Sequence, residues 1–239
     1  INSPLTDYYI ITIGTPLKKN LEPDLSNIIN LLKALVLKVK KNNTIILRST
    51  VAPGTTQFVK NFIEKNTNFK IGKNLFLSHC PERLAEGKAI EELAKFPQIL
   101  GSEDSNSTKY TIKLFKKANI ETVDCSYNQA ELAKLFLNSS RYLYFATINF
   151  LAMKALSYNE EPHEILKIAN YKYSRPIRDI PGFTAGTCLR KDFGMISEGS
   201  SGSDLLTTAW RINESLPEFL VSYFRQNIST IFNKNVVIL

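Results

Sequence analysis

From Gln129 to Glu161 the chain contains neither Gly nor Pro, and its apolar residues, among them Leu132, Leu135, Phe136, Leu143, Ile148 and Leu151, fall on every side of a helical wheel. A helix of that length that is apolar all round cannot face water, so it has to be covered by other helices or by a second copy of the chain. Subunit contact is the expectation; a central helix of a monomer is the alternative. Either way, this stretch sets the architecture of the C-terminal half.

Two hundred and thirty-nine residues with 44% apolar side chains suffice for a full core and predict one or two domains. No repeat or low-complexity segment interrupts them, which excludes collagen-like, solenoid and disordered classes. Apolar runs are broken by charge every few residues, as in Leu31-Leu32-Lys33-Ala34-Leu35, and the N-terminus has no basic region followed by an apolar core. Neither a membrane span nor a signal peptide is therefore expected. Three cysteines at positions 80, 125 and 188 are an odd number at wide spacing. They argue for a reducing compartment, and the expected location is the cytoplasm. The net charge of +8 is spread along helical patterns with acidic neighbours. It reads as a solvated surface first, a phosphate-bearing substrate second and a nucleic acid last.

The first half alternates strands with helices. Tyr8–Ile13 is a β-branched and aromatic run stopped by Gly14-Thr15-Pro16, and a helix with an apolar stripe at Ile28, Leu32 and Leu35 follows, between Pro23 and Asn43. Thr44–Leu47 is a second strand, ended by Ser49-Thr50-Val51-Ala52-Pro53-Gly54 and followed by a helix over 55–65. A third strand over 75–77 runs into Cys80-Pro81-Glu82, and short strands at 98–101 and 121–123 flank a helix over 105–118. Continuous apolar strands separated by helices predict an α/β fold, a parallel sheet covered on both faces. Its expected extent is residues 1–125. Residues 126–232 are expected to be helical: the long helix, another over 162–170, a functional loop with short helical turns over 171–202, and a helix from 203 that continues past Pro217 to about 228. Val236-Val237-Ile238-Leu239 predicts a strand that would open a further domain at 233–239.

In open α/β sheets ligands bind at the carboxyl ends of the strands. Here those ends carry Thr15 and Pro16, Ser49 and Thr50, and Glu82 and Arg83. Glu82 suits a general base, with a surface ion pair as its alternative. Lys134 and Asn138, one turn apart on the long helix, suit binding of an oxyanion, with an ordinary helix surface as theirs. Cys188 is the strongest candidate nucleophile. It lies in Gly182-Phe183-Thr184-Ala185-Gly186-Thr187-Cys188-Leu189-Arg190-Lys191-Asp192, where glycines permit close approach of a ligand and basic residues of the kind that activate a thiol stand nearby. Cys80 and Cys125 read as small hydrophobes. His79 and His163 lack partners at ligand spacing, so no metal is expected.

In this order the motifs resemble the nucleotide-sugar 6-dehydrogenase family of UDP-glucose, UDP-N-acetylhexosamine and GDP-mannose dehydrogenases. They are Ser49-Thr50-Val51-Ala52-Pro53-Gly54-Thr55-Thr56, Cys80-Pro81-Glu82-Arg83-Leu84-Ala85-Glu86-Gly87, Glu131-Leu132-Ala133-Lys134 with Asn138, Gly182-Phe183 to Asp192, and Arg211-Ile212-Asn213. The resemblance implies a partial Rossmann-like NAD domain followed by an all-helical dimerisation domain. It implies NAD-dependent oxidation of a UDP-sugar C6 alcohol, in two steps, to a uronic acid. Cys188 would form a thiohemiacetal and then a thioester. Lys134 and Asp192 would stabilise charge on oxygen, Glu82 would act as base in hydrolysis, and Thr50 and Asn138 would hold the water and the reacting oxygens. Arg83, Leu84, Gly182, Phe183 and Gly186 would line the sugar-nucleotide pocket, with Arg175 reaching for the diphosphate. Thr15, Pro16, Thr50, Glu82 and Lys191 would border NAD. The helix over 129–161 would join a homodimer, and the product would feed polysaccharide synthesis.

The Gly-x-Gly-x-x-Gly turn of that family and the acidic residue after it do not occur in this sequence. The expectation is the central part of a longer enzyme, with little or no dehydrogenase activity on its own. A non-catalytic dimerisation module derived from such an enzyme is the competing reading. The Cys-Pro-Glu-Arg form points to N-acetylhexosamine substrates and the Leu-Arg-Lys-Asp form to UDP-glucose, leaving the sugar open.

Overall fold

The computed structural model describes residues 6–18, 22–85, 87–93, 95–184, 187–197, 203–227 and 235. Five strands form one sheet in the order β1-β2-β3-β4-β5: β1 (Tyr8–Ile11), β2 (Thr44–Leu47), β3 (Phe76–His79), β4 (Gln98–Gly101) and β5 (Thr122–Cys125). Ile45 stands opposite Tyr9 on one side and Leu77 on the other, in parallel register. β4 and β5 are parallel to each other, whereas β4 runs antiparallel to β3 through His79 opposite Gly101. This departs from the all-parallel expectation. Between β3 and β4 the only helix among the described residues is α3 (Ala89–Leu93), five residues long, in place of the full crossover helix that a parallel return ordinarily uses.

The continuous apolar character of β2 follows from burial on both faces, because alternate residues point opposite ways. Ile45 and Leu47 pack with Ile28, Leu32 and Leu35 of α1 (Ser26–Leu35) and Val59 and Ile63 of α2 (Thr55–Asn66). Ile46 packs on the other side with Leu100 and with Phe115 of α4 (Ser105–Lys117). The first helix is shorter than its expected span. It ends at Leu35, and a separate turn just before β2 holds Asn42 at a φ of 70°, a conformation that Asn tolerates.

Two compact units are distinguished, one holding residues through Leu137 together with 194–198, the other 138–193 and 199–239. In the first unit β4 closes directly against the start of α5 (Tyr127–Ser157). A methyl group on Gly101 would come within 2.6 Å of Ala130 Cβ and 2.8 Å of the Ser126 carbonyl, so only glycine allows this approach. The buried Tyr127 donates its hydroxyl to the Leu77 carbonyl at 3.2 Å and fixes α5 on the sheet.

The second unit is helical: the rest of α5, α6 (Pro162–Asn170), α7 (Thr187–Ser197) through Phe193, and α8 (Ser203–Asn227), which runs through Pro217 without a break. Its core brings Tyr142, Ala146, Phe193 and Ala209 together, with the Tyr142 and Phe193 rings stacked at 5.6 Å. The 11-residue α7 corrects the expected loop with short turns. Leu189 and Phe193 lie one turn apart and give α7 an apolar stripe against this core, a signal masked in the sequence by the Gly-rich flanks. The strand expected at 236–239, and the domain it would open at 233–239, lie outside the described residues, as does Gly186. Among the described residues no helix is long and apolar enough to cross a membrane.

Candidate active site

In the first unit the carboxyl ends of β1, β2 and β3 share one edge of the sheet. Thr15, buried just beyond β1, donates its hydroxyl to the Thr50 carbonyl at 2.5 Å, and Ser49 donates to the Ile13 carbonyl at 2.7 Å. The turns after β1 and β2 are thereby bound together. Pro16 is exposed beside them, and a methyl group on Gly14 would meet no atom within 4 Å, so this edge borders open space.

Glu82 is partly buried just past β3 and is held at both oxygens. Its Oε1 accepts the Leu84 N–H at 2.8 Å, and its Oε2 pairs with the guanidinium of Arg48, the first residue after β2. Burial pushes the carboxyl pKa up, but the hydrogen bonds from Leu84 and Arg48 and the Arg48 charge outweigh it, and Glu82 sits below its ordinary range. Arg83 donates to the Pro97 carbonyl beside it, and Leu84 is partly buried. His79, one residue before Cys80, is fully enclosed, and burial lowers its pKa to about 3, so its ring stays neutral.

Glu131 has the same motif as Lys134, and its role is plain from its partners. Its carboxylate, 1% exposed, accepts the Gly54 N–H, the Thr56 N–H and the Thr56 hydroxyl at 2.6–2.7 Å. It thus caps the N-terminus of α2, where helix N–H groups have no internal partner and the dipole favours negative charge. Gly54 precedes that helix with a φ of 87°. Glu131 ties α5 to the turn that carries Thr50, and Lys134 is partly buried one turn further along α5.

In the second unit Asn138 donates Nδ2 to Asp192 Oδ2 at 2.6 Å, both side chains being buried. Lys191 Nζ lies 3.1 Å from Asp192 Oδ1, an ion pair that offsets the buried charge. That oxygen receives no hydrogen bond from the described residues. Cys188 is exposed on α7, one turn before Asp192. Arg175 and Phe183 are exposed, and the Arg175 guanidinium lies 5.6 Å over the Tyr173 ring.

Gly182 is held by a residue the sequence reading did not single out. The fully buried Asn149 of α5 accepts the Gly182 N–H and donates to the Gly182 carbonyl, both at 2.9 Å. The same Nδ2 reaches Asn213 Oδ1 at 3.0 Å. Its signal was available: an Asn between Ile148 and Phe150 in an otherwise apolar stretch has to find partners inside the protein. Arg48, which closes the apolar run of β2, carried a similar signal.

Residues 4–119 match the model of the UDP-glucose/GDP-mannose dehydrogenase family, NAD binding domain. The chain is 29% identical over 219 residues to the UDP-N-acetyl-D-mannosamine dehydrogenase of Pyrococcus horikoshii, covering 90% of this chain and 51% of that protein. It is 30% identical over 244 residues to the enzyme of that name from Campylobacter jejuni, covering 98% and 60%. Among solved structures, the UDP-D-ManNAc dehydrogenase of Pyrococcus horikoshii matches with a TM-score of 0.85 at 27% identity, over 94% of this chain and 54% of that one. The native UDP-N-acetyl-mannosamine dehydrogenase of Staphylococcus aureus gives 0.82 at 29% identity, over 96% and 55%. The chain spans about half the length of the curated relatives it matches. The chain is thus similar over nearly all of its length to UDP-N-acetyl-D-mannosamine dehydrogenases, and its residues 4–119 carry the NAD binding domain of the UDP-glucose/GDP-mannose dehydrogenase family.

Proposed function

We propose that the chain carries the catalytic residues for the NAD-dependent oxidation of the C6 alcohol of a UDP-sugar to the uronate, with UDP-N-acetyl-D-mannosamine as the sugar its relatives' names favour. The observation that carries this reading is the buried Asn138–Asp192 pair, whose aspartate lies on the helix that presents the exposed Cys188. A thiol open to substrate, one turn from a desolvated carboxylate, suits formation and hydrolysis of a covalent intermediate.

The edge formed by Gly14, Thr15, Pro16 and Thr50 fits the ribose and nicotinamide half of NAD: it has open space above Gly14, and the Thr15 hydroxyl binds it to the turn that carries Thr50. NAD, when bound, supplies a hydride acceptor for each of the two oxidations. Cys188 Sγ attacks the C6 aldehyde to give a thiohemiacetal, and loss of a second hydride makes the thioester. Lys134 and Asp192 stabilise the oxygen charge that develops, and Asn138 and Thr50 hold the water and the reacting oxygens. Glu82 takes the proton of the attacking water, releasing uronate and the Cys188 thiol. Arg83, Leu84 and the Gly182-Phe183 segment line the substrate, with Arg175 for the diphosphate and Lys191 beside the cofactor.

The test is NADH absorbance with a panel of UDP- and GDP-sugars, run on this chain and on one extended at both ends, with the product identified by mass. Two NADH per sugar and a uronate are expected. A chain that binds NAD yet forms no NADH with any sugar would refute the reading.

The exposed apolar face of α5, with Phe136 57%, Tyr144 59% and Phe150 52% exposed, supports a homodimer through this helix. Light scattering at micromolar concentration should give twice the chain mass, and a monomer there would refute the dimer.

A further inference from the structure

The base assigned to hydrolysis does not stand alone. β4 runs antiparallel to β3 with Gly101 opposite His79, so continuing that register brings Gln98 opposite residue 82. Gln98 is buried there and uses both amide hydrogens, donating Nε2 to the Pro81 carbonyl at 3.0 Å and to the Ile99 carbonyl at 2.9 Å. This leaves no ambiguity about its oxygen, which accepts Arg48 Nη1 at 2.8 Å. The other arm of the Arg48 fork, Nη2, pairs with Glu82 Oε2. The Arg48 side chain is only 13% exposed, so this pairing is largely shielded from water on the arginine side. Three neighbouring strands thus contribute to one chain of contacts, Gln98 to Arg48 to Glu82.

We propose that Arg48, braced by Gln98, is a positioning residue for Glu82: it fixes the orientation of the carboxylate and keeps it charged for the hydrolytic half-reaction. The proposal rests on the reading of Glu82 as the base. A guanidinium suits this task because its planar fork can engage the amide oxygen and the carboxylate at once, which a lysine ammonium cannot reproduce. Each carboxylate oxygen keeps a second lone pair, so Glu82 can still accept from a water. The charge acting on Glu82 is that of Arg48, which follows β2; Arg83 in its own turn contributes its backbone N–H, Gln98 from β4 is neutral, and the nearby Leu93, Phe96, Pro97 and Ile120 are apolar.

The sign of the pH effect follows. Arg48 favours the charged carboxylate, so the base stays ionised to lower pH than an ordinary glutamate would. Removing Arg48 leaves burial as the dominant influence and moves the midpoint upward.

The test is a carbon-13 NMR titration of the Glu82 side-chain carboxyl, assigned with Glu82→Gln, in the wild-type chain and in Arg48→Met and Arg48→Lys. Arg48→Met should raise the midpoint by about one pH unit or more, with Arg48→Lys in between. If Arg48→Met does not fold, Gln98→Met, which keeps both charges and removes only the brace, should raise the midpoint by a smaller step. An unmoved midpoint in the folded variant overturns the proposal. In the NADH-forming reaction the acid limb of thioester hydrolysis should move up with the midpoint, and a limb that stays in place while the midpoint moves would make the pair structural only, which also overturns it. Hydrolysis that survives Glu82→Gln would instead overturn the reading of Glu82 as base, leaving the NMR result to judge Arg48 separately.

Discussion

Replacing Cys188 by Ala is expected to abolish uronate formation, with a loss in kcat on the order of 10⁴-fold or more, because no other group can hold the aldehyde carbon covalently. The stoichiometry makes the test sharp. The first oxidation needs no thiol, so the variant can release at most one NADH per sugar where the wild type releases two. Two NADH per sugar and continued uronate production in Cys188→Ala would sink the covalent mechanism. Reactivity should follow the same geometry. Cys188 is exposed, whereas burial pushes the thiol pKa of Cys80 far up and raises that of Cys125, so iodoacetamide should modify Cys188 first. UDP-sugar should slow that modification.

The second large effect concerns stability. Glu131→Ala removes the acceptor of two backbone N–H groups and one hydroxyl at the start of α2, and leaves those donors without a partner inside the protein. The expected cost is about 3 kcal/mol, which for a chain of this size corresponds to a fall in Tm of roughly 6–12 °C. Glu131→Gln keeps one acceptor and should lose less. The pH dependence has a defined sign. Burial raises the Glu131 carboxyl above its ordinary value of 4.5, against the pull of the Thr56 and Gly54 hydrogen bonds. A raised folded value means the native state binds the proton more readily than the unfolded chain. That share of stability is therefore complete below about 4.5 and is lost as pH rises through the folded value. Thermal melts of wild type and Glu131→Gln should draw closer as pH rises across that window; melts that stay a constant distance apart would show that Glu131 does not titrate there.

Much of the fold is legible locally. β2 and β4 and the helix after Pro162 have the bounds their turn residues and apolar patterns predict, because each is punctuated by Gly, Pro or Asn that no neighbouring element overrides. The direction of β4 was not legible. Periodicity tells which residues are buried but not which way a strand runs, and that depended on how little helix lies between residues 80 and 97. The site divides in the same way. Motif order supplied Cys188, Asp192, Glu82 and Lys134, whereas the partners of those residues depend on register and helix packing. Arg48 comes near Glu82 only because β2 neighbours β3, and Gln98 only because β4 is reversed. Asn149 and Gly182 are 33 positions apart in sequence and meet only through the fold.

That last contact divides evolutionary freedom unequally between its two members. Asn149 reads only the main-chain N–H and carbonyl at position 182, and a Cβ added there would meet no described atom within 4 Å. Position 182 can therefore accept a β-carbon, and so alter what the segment shows a substrate, without loosening its attachment. Position 149 has no such latitude, since only a carboxamide of that reach offers a donor and an acceptor together.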